Sequence, residues 1–78
     1  MKKKIIEVLN EVNEEIGSYE GNDMISDLGI DSHDIFNIVV GLEEKFEIEI
    51  SPLLLKTENF ASLEAIEQMI RDIIEESR

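Results

Sequence analysis

Seventy-eight residues supply one domain, residues 1–78, and a chain of this size buries only about 60% of the surface that it exposes when unfolded, so its core must be small and fully used. An apolar fraction of 42% is enough to fold it, and the lack of cysteine removes disulfides, a thiolate nucleophile and the common sulfur type of zinc site. Nineteen acidic against seven basic residues give a formal charge of −12, which disfavours nucleic acid and anionic membranes as partners and favours positively charged proteins.

The basic start Met1-Lys2-Lys3-Lys4 resembles the opening of a signal peptide, but Glu7, Asn10 and Glu11 interrupt the apolar run that should follow. No export signal and no membrane span is read, and a cytoplasmic setting is expected. Ile5, Leu9, Val12 and Ile16 then recur at helical spacing and predict an amphipathic helix from about Lys3 to Ile16, with Val8 and Ile6 widening its apolar stripe. Gly17 is expected to stop it in the left-handed conformation. From Gly17 to Asp31 no period persists, and Ser18, Gly21, Asn22 and Gly29 are turn formers. The segment reads as a long ordered loop that docks through Tyr19, Met24, Ile25, Leu28 and Ile30.

A second helix is expected to begin at Asp31 or Ser32, either of which can cap it, and to end near Phe46. Its predicted core stripe is Ile35, Val39, Leu42 and Phe46; Phe36, Ile38 and Val40 lie off that stripe as candidates for contact with a ligand or partner. Gly41 lowers helix propensity by about 1 kcal/mol relative to Ala and is read as a point of close approach. Glu47 to Ser51 alternates like a strand but has nothing to pair with, so it is read as an extended connector. Pro52 then starts a short helical turn through Leu55. Asn59 to Ser62 is expected as another connector with Ser62 capping a last helix, which carries Leu63, Ile66, Met69, Ile70, Ile73 and Ile74 and frays from Glu75 to Arg78. The product is an all-α fold, a small bundle of three main helices plus one short one.

Catalytic groups are scarce. His33 follows Ser32 directly, but neighbours on a helix point about 100° apart, so the two do not form a nucleophile and base. The carboxylates Asp23, Asp27, Asp31 and Asp34 fail the spacing of a calcium loop, leaving at most weak divalent binding and no dedicated metal site. Gly29 and Gly41 are isolated and build no phosphate loop, and Glu43 with Glu44 reads as a solvated face. Ser32 itself has two readings. It can be a helix cap, or a hydroxyl modified by another enzyme, where a phosphodiester would meet the positive end of the helix dipole but also repulsion from Asp31 and Asp34. Position alone does not decide between them.

The stretch Asp27-Leu28-Gly29-Ile30-Asp31-Ser32-His33-Asp34, with Leu42-Glu43-Glu44-Lys45-Phe46 and Glu49-Ile50, resembles the acyl carrier protein family, whose signature is Asp-Ser-Leu at the start of an acidic second helix. The likeness extends from the first helix to the last. The resemblance implies a non-catalytic carrier. Ser32 would hold 4′-phosphopantetheine, installed from coenzyme A by a phosphopantetheinyl transferase, and the arm's thiol would carry acyl intermediates of fatty-acid, polyketide or related biosynthesis as thioesters. Enzymes that transfer, ligate or condense acyl groups would dock basic patches on the second helix. Asp31, Asp34, Glu43 and Glu44 match charged positions of that docking face, Val40 and Ile50 match apolar positions at its edge, and His33 and Asn37 fall on it. Ile35, Val39, Leu42 and Phe46 would be core and part of their surface could line the space a carried chain enters. A monomer is expected.

The departures from the family pattern bear on which carrier this is. His33 replaces the usual leucine after the serine, Asn37 stands where many fatty-acid carriers have glutamate, Phe36 adds bulk beside it, and Pro52-Leu53-Leu54-Leu55 is more apolar than the stretch often found there. These features imply a specialised free-standing carrier. The alternatives are an acidic interaction module of the same fold without a prosthetic group, and a weakly calcium-responsive protein. The surplus of negative charge opposes compaction, so added salt or Mg²⁺ is expected to raise the melting temperature in a calorimetric titration; an unchanged or lower value at moderate salt would contradict that account.

Overall fold

Asn13 splits what the apolar spacing presents as one first helix. In the computed structural model, which describes residues 1–77, α1 spans Lys2–Val12 and α2 spans Glu14–Gly17. The Asn13 backbone is extended, and its side chain accepts the Glu15 N–H at 2.8 Å. Asparagine competes with helix continuation in this way, because its amide oxygen satisfies an orphan donor of the helix that follows. The expected continuous helix from Lys3 to Ile16 is therefore corrected to two, although Ile16 remains buried. Gly17 is not the left-handed stop that was expected: it is the last residue of α2, and a β-carbon there would collide with the Asn10 side chain.

The long loop that follows contains a five-residue helix, α3 (Met24–Leu28), too short to show a period. Asp23 caps it by accepting the Ser26 N–H at 3.2 Å, and Gly29 ends it at φ 66°, a backbone conformation that glycine adopts without strain. Tyr19 fastens the preceding turn: its hydroxyl donates to Asp27 Oδ2 at 2.6 Å and accepts the Asp23 N–H at 2.8 Å. Partial burial, with the hydrogen bond to Asp27, holds the Tyr19 phenol above its usual pKa. Met24 and Ile30 are buried, so the segment docks as the sequence implies.

Helix α4 spans Ser32–Phe46. Its buried residues are Ile38, Val39 and Leu42, whereas Ile35 and Phe46 are only half-buried. Ile38, expected off the core stripe, is 0% exposed. The reason is tertiary: α1 packs on that side, and Gly41 lets it approach so closely that an added β-carbon would lie 2.6 Å from Val8 Cγ1. Lys45 Nζ meets Glu7 Oε2 at 3.0 Å along the same seam. That hydrogen bond and the opposite charge hold the Glu7 carboxyl below its usual range and Lys45 above its own.

Glu47, in the left-handed region at φ 53°, closes α4, and the connector after it is extended and unpaired as expected. Pro52–Leu54 forms a short 3₁₀ turn. The second connector is corrected: Thr57–Phe60 is another 3₁₀ turn, which delivers Phe60 fully into the core. Ser62 caps the last helix, α5 (Leu63–Glu76), by accepting the Ala65 N–H at 3.2 Å. The expected fraying from Glu75 is not seen, because the helix runs to Glu76 and the Ser77 hydroxyl donates to the Ile73 carbonyl at 2.8 Å; Arg78 lies outside the described residues. Three longer helices and shorter pieces thus enclose one core, with no strand among the described residues.

At the α1–α4 seam, Gly41→Ala gains helix propensity of about 1 kcal/mol but overpacks Val8, a defect that typically costs about 1–3 kcal/mol. The expected outcome is a net loss of stability in chemical denaturation. Combining it with Val8→Ala should cost less than the sum of the two single changes, because the added methyl occupies the space that the valine vacates.

Candidate functional site

One capping interaction decides which side chain is free at the mouth of α4. The Asp31 carboxylate accepts the Asp34 N–H at 2.9 Å, so Asp31 is the cap and Ser32 is the first helical residue. Either residue could have capped on sequence grounds; the structure assigns the work to Asp31. The Ser32 hydroxyl has no hydrogen-bond partner among the described residues and is exposed to solvent. It stands where the unpaired amides of the first turn and the helix dipole favour negative charge. No contact joins it to His33 as nucleophile to base: His33 is exposed, and no hydrogen bond between the two is present among the described residues.

The remaining candidates divide by burial. Asp31, His33, Asn37, Val40 and Glu44 are exposed, and Asp34 is half-buried beside them, so these residues share the outer face of α4. Glu43 is half-buried and already engaged, its Oε2 accepting the Ile50 N–H at 2.9 Å. Ile50, expected at the docking edge, is 7% exposed and belongs to the core, which corrects that expectation. The physical reason is the Glu43 carboxylate, which folds the connector back so that the isoleucine turns inward. Phe36, read from its spacing as a candidate for contact with a ligand or partner, is 64% accessible on the outer face of α4.

Asp31, His33 and Asp34 also bring ligand-capable atoms within 4.8 Å of one another. They could hold a divalent ion weakly, but the Asp31 carboxylate is partly committed to the cap and such exposed acidic groups are common without an ion. No helix of the described residues is long and apolar enough to cross a membrane.

The site is thus an unpartnered serine hydroxyl at the mouth of an acidic helix in a small helical bundle. Residues 1–70 match the family model described as the phosphopantetheine attachment site, and the chain belongs to that family, whose members carry covalently attached 4′-phosphopantetheine. Curated relatives agree. The chain is 44% identical over 50 residues to an acyl carrier protein of Campylobacter lari, covering 64% of this chain and 62% of that protein. It is 42% identical over 50 residues to an acyl carrier protein of a Sulfurovum species, covering 64% of each. It is also 44% identical over 50 residues to that of Wolinella succinogenes, covering 64% of this chain and 63% of that protein. The chain therefore spans about three-fifths of the length of the curated relatives it matches. No solved structure gives a significant match.

The separation of capping from exposure is measurable. Asp31→Ala removes the cap and is expected to cost about 1 kcal/mol in chemical denaturation, whereas Ser32→Ala, which touches no cap, should lie within about 0.5 kcal/mol of the parent. Equal losses for the two would show that Ser32 shares the capping.

Proposed function

We propose that this protein is a non-catalytic acyl carrier whose Ser32 bears 4′-phosphopantetheine, and that residues 1–78 form a single carrier domain. The observation that carries the proposal is the freedom of the Ser32 hydroxyl: capping by Asp31 leaves it unpartnered, exposed and at the positive end of α4. When bound, the arm supplies a thiol that holds an acyl group as a thioester. In the modification the Ser32 oxygen attacks the coenzyme A phosphorus next to pantetheine, the bond to 3′,5′-ADP breaks, and the serine proton passes to the transferase. His33 takes no part in this step. The positive end of α4 favours the new phosphodiester, while Asp31 and Asp34 oppose it, which accords with the need for an external enzyme.

Asp31, His33, Asp34, Asn37, Val40 and Glu44 form the docking face in this reading, with Glu43 contributing charge while it braces the connector. Partner enzymes with basic patches fit it, since a net charge of −12 raises the rate of encounter with cationic surfaces. The departures at His33, Phe36 and Asn37 support a specialised carrier over the housekeeping carrier of fatty-acid synthesis, and the shared charge of −12 favours a monomer. The cysteine-free sequence permits the cytoplasmic setting that this role implies.

Co-expression with a broad-specificity phosphopantetheinyl transferase should add one phosphopantetheinyl group by intact mass, and Ser32→Ala should abolish the addition. No gain in mass, or a gain that survives Ser32→Ala, would refute the assignment.

A further inference from the structure

An aromatic ring left 64% exposed on a small acidic protein withholds apolar surface from a core that has little to spare. Phe36 is that ring, and it stands four residues after Ser32 in α4. Residues at this spacing are neighbours on a helix face, about 5–6 Å apart between β-carbons. The Cα–Cβ bonds of an α-helix tilt toward its N-terminus, so Phe36 covers the turn on which Ser32 sits. Val40, 36% exposed, continues the same row by another four residues. An exposed apolar row thus leads away from the free hydroxyl, with Asp31 and Asp34 on the opposite flank of the first turn.

We propose, resting on the carrier reading above, that Phe36 is the seat of the pantoyl segment of the arm borne by Ser32, with Val40 extending that seat along α4. The occupant is chosen by chemistry and reach. Only the phosphorus, a bridging oxygen and a methylene separate the serine oxygen from the gem-dimethyl carbon, which matches one helical turn. That dimethyl group is the apolar part of an otherwise polar arm. Asp31 and Asp34 repel the phosphodiester from their side and turn it toward the row of Phe36. A second copy of this chain is the poorer occupant, because each copy brings a charge of −12. Phe36 in this role is a positioning residue: it gives the arm a preferred exit direction along α4.

The test uses the full chain loaded from isotopically labelled coenzyme A, with intact mass read first and NMR second. Loaded protein should show pantoyl methyl resonances displaced upfield from those of free pantetheine, with nuclear Overhauser contacts to the Phe36 ring. Phe36→Ala should lose both, while Phe36→Leu should lose the ring-current displacement and keep methyl-to-methyl contacts. Helical circular dichroism of each variant should match the parent, since the ring is outside the core. Methyl resonances at the positions of free pantetheine in a protein that has gained the arm would overturn this inference and leave the carrier reading intact. Failure to gain the arm would overturn both.

Discussion

The seam between α1 and α4 is the constraint on which the rest depends. A chain with so little apolar surface to bury must bring its longer amphipathic helices into close contact, and at the α1–α4 pair Gly41 permits this by leaving room for Val8. The approach fixes the rotation of α4 about its own axis. Ile38, Val39 and Leu42 are turned inward, so the opposite side, with Ser32, His33, Phe36, Asn37 and Glu44, is turned to solvent. The Glu7–Lys45 pair lies on the same seam, where it guides register at an exposed edge without supplying the driving force.

Capping then sets the chemistry of the exposed side. A serine at a helix mouth is ordinarily explained by the amide that it satisfies. Here the aspartate before it satisfies that amide, and the hydroxyl is left with the favourable potential of the helix end and no structural duty. The same turn holds two carboxylates that oppose an added phosphate. In the proposed carrier role, that balance accords with a group installed by another enzyme.

The polar connections outside the core serve that arrangement. Tyr19 ties the turn before α3 to Asp23 and Asp27, and the Met24 N–H donates to the Ala61 carbonyl at 2.7 Å, so α3 is pinned against the segment that leads into α5. Glu43 performs the equivalent task at the far end of α4 by accepting the Ile50 N–H. A residue that looks like part of a solvated acidic face in sequence is in this way a brace for the connector. Its negative charge and its hydrogen bond both act at the boundary between the core and the exposed face of α4.

The sequence by itself determined the bundle, the extent of α4, the placing of Ser32 at its mouth and the cap at Ser62, since each rests on local rules of period, capping and turn chemistry. The family resemblance was legible for the same reason, because its motif is contiguous. Only the tertiary structure decided what depends on neighbours far along the chain. Some local features were hidden as well: Asn13 broke the first helix through its own side-chain cap where the apolar spacing continued, and α3 and the turn that buries Phe60 were too short to leave a period. Ile38 went inward because α1 came to lie against it, Ile50 because Glu43 holds its backbone, and Phe36 stayed outside because no helix among the described residues covers that side of α4. A helical period names the residues that share a face; which face is covered depends on what packs against it.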